Sequence, residues 1–230
     1  MEPVIERTLR RGRETLAAVN EVERLYLRDW MDVVFIYAIS GFVGTLHETC
    51  WTLLSKGVFE DRSGSILSPF NYVYGLGALA IFFALRGLRK GHQVFVVGAL
   101  LGGVLEYSMS VIQQYLLGSR SWDYSQLPLN IGGRTTVPFM LFWGLLCFVI
   151  VRWILPLMLH VVHAIDDDHR RTIAVILLVW IVVDYCVTLP AIFLYAQRAD
   201  GFSGGGWLAD VINTVFNDAF MRRHFPNMRV

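Results

Sequence analysis

Five long apolar blocks dominate this sequence: Trp30–Leu54, Phe70–Leu88, Gln93–Leu117, Val137–Val162 and Thr172–Ala196. An α-helix rises about 1.5 Å per residue, so some twenty apolar residues match the roughly 30 Å hydrocarbon core of a bilayer. Composition points the same way. Hydrophobic residues make up 55% of the chain and charged residues only 17%, against about 25% charged in an ordinary soluble domain. These blocks predict an all-α polytopic transmembrane helix bundle of about five spans, embedded in a lipid bilayer. The expected division is an amphipathic N-terminal helix over 1–29, a transmembrane domain over 30–196 and an amphipathic C-terminal tail over 197–230.

Charge excludes one class of partner. Lys+Arg total 20 and Asp+Glu 19, so no basic excess argues for nucleic acid. Cys50, Cys147 and Cys186 all fall inside apolar blocks, which fits small core residues better than a disulfide framework or a metal site. With five spans the termini lie on opposite sides. The arm carries Arg7, Arg10, Arg11, Arg13, Arg24 and Arg28, the second connection Arg86, Arg89 and Lys90, and the fourth Arg170 and Arg171. This excess over the opposite side predicts a plasma-membrane protein with a cytoplasmic N-terminus.

Both flanks show helical periodicity. Leu9, Leu16, Val19, Val22, Leu25 and Tyr26 share one face of a charged segment, and Trp207, Leu208, Val211, Ile212, Val215, Phe216, Ala219 and Phe220 mark a second helix beyond the glycine-rich stretch at 201–206. Such segments lie along a membrane surface or pack on a partner helix. No internal repeat is visible in the sequence.

Ionisable groups inside a membrane are costly and are functional candidates by default. Four occur here: Glu48, Glu106, Arg152 and Asp184. Counting residues from the span ends puts Arg152, Asp184 and Glu106 at one depth, about 18 Å up at 1.5 Å per residue, with Glu48 one to two turns beyond. Arg152 and Asp184 are expected to form an interhelical ion pair. Glu48 and Glu106 are expected to share a polar cavity that takes a proton, a cation or a substrate group, or else to be protonated structural residues. Gly41 and Gly44 precede Glu48, and Gly98, Gly102 and Gly103 precede Glu106, either for close helix packing or to leave room beside each acid.

The connection from Gly118 to Thr136 is the richest in polar groups. Trp122-Asp123-Tyr124-Ser125 places an acid between interfacial aromatics, and Asn130-Ile-Gly-Gly-Arg134 makes a flexible turn followed by a cation. This loop is expected to be ordered at the mouth of the bundle, with Asp123, Tyr124 and Arg134 contributing to a binding site.

Taken in order, Gly41-Phe-Val-Gly-Thr-Leu-His-Glu48, Arg62, Ser68-Pro69, Tyr74-Gly75, Leu105-Glu-Tyr107, Trp122-Asp-Tyr-Ser125, Leu129-Asn130, Gly133-Arg134 and Phe142-Trp-Gly144 resemble the ABC-transporter type IV permeases, the CmpB-like bacterial membrane proteins. The resemblance spans roughly Phe35 to Leu189. It departs at Asp61–Pro69, where the family has a glycine-rich stretch and this chain reads DRSGSILSP. The resemblance implies a permease component served by a separate ATPase subunit, since no GxxxxGK[ST] motif occurs in this chain. No cofactor is expected; self-association into a homo-oligomer is compatible with such a component. Two other functions fit the residues: a membrane-embedded enzyme acting on a lipid headgroup, and a scaffold or sensor. The absence of any Ser-His-Asp or HExxH pattern weighs against the enzyme.

Overall fold

The computed structural model describes residues 27–117, 123–201 and 205–225. The N-terminal helix expected over 1–29 lies almost wholly outside these residues. Among the described residues, four helices are long and apolar enough to cross a membrane: α1 (Trp30–Lys56), α3 (Gly91–Leu117), the run from Val137 to His163, and α6 (Asp167–Ala199). The remaining apolar block forms a shorter helix, α2 (Tyr72–Leu85). Its 14 residues span about 21 Å at 1.5 Å per residue, less than the hydrocarbon thickness.

Helix ends follow local chemistry. Asp29 caps α1 by accepting from Met31 N at 2.8 Å, and Gly57 closes it at φ 68, where a side chain would be strained. Thr136 caps α4 (Val137–Val149), with Pro138 in the first turn. Asp166 caps α6, accepting from His169 N at 3.1 Å. The backbone amide of His169 is also the main reason the Asp166 carboxyl titrates below its usual value.

The run from Val137 to His163 is not a uniform α-helix. Between α4 and α5 (Leu155–His163) a π-helical turn covers Ile150–Ile154, and Leu155 N bonds back to Ile150 O. Pro156 supplies the reason: its ring collides with the carbonyl four residues earlier, which belongs to Arg152, and the helix widens to avoid it.

The described residues form two compact units. One comprises residues 27–79 with 162 onward. There Met31 and Phe35 of α1 pack on Val162 and Ala174, flanked by Ile39 and Leu177. The same unit holds the tail helices α7 (Trp207–Val215) and α8 (Asp218–His224). Met221 of α8 is buried with Ala191 and Tyr195 of α6, and Arg198 Nε donates to Asp218 Oδ1 at 2.6 Å.

The connection between α1 and α2 is not a solvent loop. It runs along α6: Ile66 N donates to Thr188 Oγ1 at 3.0 Å, Leu67 N to Asp184 Oδ1 at 2.9 Å, and Trp180 Nε1 to Leu67 O at 3.0 Å. Irregular backbone is tolerated at membrane depth where protein satisfies its polar groups, as here.

The second unit, residues 80–161, pairs α3 with α4 through glycines. A Cβ added at Gly102 would sit 2.3 Å from the Trp143 side chain, and one at Gly144 would sit 2.6 Å from Phe95 O. Only glycine lets the backbones come this close. The α1–α2 pair of the first unit uses the same device, with Gly44 against Tyr74 and Gly75 against Tyr37.

The register is shared as well. Tyr37, Gly44, Glu48 and Thr52 follow one another along α1 at the same spacing as Phe95, Gly102, Glu106 and Ser110 along α3. On the returning helix, Tyr74-Gly75 corresponds to Trp143-Gly144. Each unit therefore contains one hairpin of a common design, a repeat the sequence alone did not show.

Candidate functional site

Each hairpin carries one carboxylate, a turn beyond its packing glycine. In the first unit Glu48 is half-buried on α1. Its Oε1 accepts the Tyr74 hydroxyl at 2.8 Å and its Oε2 lies 3.2 Å from the Arg62 guanidinium. Arg62 also lies 3.6 Å from Glu60, and Asn71 fixes the loop by donating to Arg62 O at 3.0 Å. Lys56 Nζ lies 3.8 Å from Glu60 as well, so two acids and two cations alternate in this cluster. His47, the neighbour of Glu48, is exposed.

In the second unit Glu106 is half-buried on α3. Its Oε1 accepts the Tyr124 hydroxyl at 3.0 Å and its Oε2 accepts Thr135 Oγ1 at 2.7 Å. Arg134 reaches α3 one and two turns further along, donating to Ser110 Oγ at 3.0 Å and to the Gln114 side chain. Its guanidinium also lies 5.7 Å from the centre of the Tyr107 ring.

The loop that delivers Tyr124, Arg134 and Thr135 is held by its own hydrogen bonds. A short antiparallel ladder, β1 (Asn130–Ile131) with β2 (Thr135–Thr136), pairs Asn130 with Thr136. The intervening turn uses Gly132 and Gly133 at φ 61 and 68, a backbone region that favours glycine. Asn130 secures both sides, accepting from Gly133 N at 3.0 Å and donating to Leu127 O at 2.9 Å. Asp123 accepts from Ser125 N at 2.9 Å, and Tyr124 packs on Phe139 with ring centres 4.8 Å apart. Burial, then the hydrogen bond to Glu106 and its negative charge, pushes the Tyr124 hydroxyl up to about 12.

Glu106, Tyr124, Arg134 and Asp123 are thus gathered around one end of α3, whereas Glu48 has its own cluster in the other unit. Arg152 lies in the π-helical turn. Asp184, 4% exposed, accepts from Leu67 N, Ser68 Oγ and Thr188 Oγ1.

Sequence reasoning missed a further charged cluster. Arg170 is 1% exposed and pairs with Asp29 and, at 3.0 Å, with the fully buried Asp32. His163 Nε2 lies 2.9 Å from the same Asp32 oxygen. These residues stand at the starts of α1 and α6 and the end of α5, so they tie three helix ends together. An acid in the first turn of a helix was the available signal.

Fold and carboxylate clusters together define a polytopic helical membrane protein with polar groups placed inside its spans. A family model described as Putative ABC-transporter type IV matches residues 35–189, and the chain belongs to that family. Neither the curated proteins nor the solved structures contain a match to the chain.

Proposed function

We propose that this chain is the permease component of a transporter whose ATPase is a separate subunit, with Glu48 and Glu106 each forming a polar site in its own unit. One observation carries the reading: two apolar helices of membrane length each place a half-buried carboxylate beside a tyrosine hydroxyl and a polar loop. Helix bundles have no structural need for such groups, because apolar residues pack as well without a desolvation cost. Family membership supports the same reading.

The two acids differ in chemistry. Glu48 has a guanidinium 3.2 Å away, which offsets its charge. Glu106 is met by the hydroxyls of Tyr124 and Thr135, so its charge is solvated rather than cancelled. Glu106 is therefore the better place for a proton, a cation or a positively charged substrate group. Tyr124 and Thr135 orient it, Arg134 sets the potential a turn away, and Asp123 braces the loop.

Affinity purification of the tagged chain from its native membranes tests the reading. A copurifying subunit that contains a nucleotide-binding motif and hydrolyses ATP is the expected result. A chain that purifies alone, or with partners lacking any nucleotide-binding motif, overturns it.

A further inference from the structure

We propose that Asp184, Ser65, Ser68 and Thr188 form a binding site for one dehydrated monovalent cation of about the size of sodium. The site lies in the unit that holds α1 and α6, to which Glu106 does not belong. A small cavity there has room for roughly one water-sized ligand. Its polar wall is formed by the Asp184 carboxylate, the hydroxyls of Ser65, Ser68 and Thr188, and the Tyr37–Tyr185 hydroxyl pair, whose oxygens are 2.6 Å apart.

Oxygens there outnumber the hydrogens that can join them. Ser65 Oγ lies 2.9 Å from both Ser68 O and Ser68 Oγ and 3.1 Å from Phe70 O. It has one hydrogen for three oxygen neighbours. The Ser68 hydrogen is directed to Asp184 Oδ2, and the Thr188 hydrogen to Oδ1 at 2.8 Å. Two of the oxygen pairs around Ser65 are left with lone pair facing lone pair. Converging lone pairs from carboxylate, hydroxyl and carbonyl oxygens suit a hard cation.

Charge selects the ion. Asp184 is 4% exposed and its hydrogen-bond donors are neutral groups: Leu67 N, Ser68 and Thr188. A buried charge supported only by neutral donors is costly. One positive charge balances it, whereas a divalent ion would leave a new buried excess. The backbone is suited to the task as well, because residues 65–70 are non-helical where they meet α6. That frees carbonyls to act as ligands, as unwound segments do in membrane transporters.

The test is the thermal unfolding of the purified full chain in lipid nanodiscs. Sodium chloride is titrated against N-methyl-D-glucamine chloride at constant ionic strength. Sodium should raise the wild-type unfolding temperature saturably, by roughly 3–6 °C. Ser68→Ala should move the half-saturating concentration about tenfold or more upward, and Asp184→Asn should abolish the rise. Identical unfolding temperatures of the wild type in the two salts would overturn the site, as would a full sodium response in Asp184→Asn. Should Asp184→Asn not fold, the wild-type titration and Ser68→Ala decide. The measurement reads cation binding alone, so a negative result leaves the transporter reading untouched.

Discussion

Tyr124 donates its hydroxyl hydrogen to Glu106 Oε1 at 3.0 Å, joining a connecting loop to a carboxylate on a membrane-length helix. Tyr74 serves Glu48 in the other hairpin at 2.8 Å. In one case the tyrosine comes from the loop and in the other from the returning helix. The same contact is thus reached by two local routes, which marks the pairing of acid and phenol as the feature both hairpins keep.

The Tyr124 contact has a pH signature. Its hydroxyl is raised to about 12, first by burial and then by Glu106, above the ordinary tyrosine value near 10. A group raised on folding contributes stability that is complete below its unfolded value and lost as pH rises through the folded one. The contribution should therefore persist to about pH 10 and vanish towards pH 12. Ultraviolet phenolate titration of the wild type and Tyr124→Phe checks this. The step missing from the variant should lie near 12; a missing step at the ordinary value would contradict it.

Helix packing makes a second prediction. Gly102→Ala places a methyl group 2.3 Å from the Trp143 side chain, so α3 and α4 must separate, at a cost of about 1–3 kcal/mol. Gly77 has nothing within 4 Å of an added Cβ, so Gly77→Ala should be neutral or stabilise by up to about 1 kcal/mol through helix propensity. Unfolding midpoints of the two variants measured side by side distinguish close approach from a general intolerance of alanine.

Arg170 and Arg28 should behave very differently. Arg170 is 1% exposed beside a fully buried Asp32, and Arg170→Ala leaves that acid without its guanidinium, a loss of roughly 3–5 kcal/mol. Arg28 pairs with Asp167, both half-exposed or more, and Arg28→Ala should cost no more than about 1 kcal/mol. Folded yield in membranes and thermal unfolding of each variant provide the comparison.

Much of the architecture was legible because bilayer thickness imposes block length. Trp30 and Val137 begin helices at the residues where their apolar blocks begin. Glu48 and Glu106 stood out because charge is rare in such blocks, and the Tyr124–Arg134 loop because its turn chemistry is explicit. The neighbours of Asp184 were not legible. Ser65 and Ser68 sit in a polar run that resembles a solvent loop, more than a hundred residues away. Arg170 was read as a topological charge, whereas it is consumed by Asp29 and Asp32. The repeated hairpin was hidden because equivalent positions keep shape rather than identity, Tyr37 against Phe95, Thr52 against Ser110 and Tyr74 against Trp143, and the connecting loops differ in length.

The central claim is that Glu48 and Glu106 each serve transport and do not merely brace their hairpins. ATP hydrolysis by the native complex in proteoliposomes, compared among wild type, Glu48→Gln and Glu106→Gln, tests it most directly, with thermal unfolding followed on the same preparations. Glutamine keeps the oxygen that accepts from tyrosine and removes the charge. The account predicts that both variants assemble and unfold within about 4 °C of the wild type, the shift expected for roughly 1 kcal/mol, while the hydrolysis rate changes about tenfold or more, equivalent to some 1.4 kcal/mol in the barrier. Wild-type rates in both variants would contradict it.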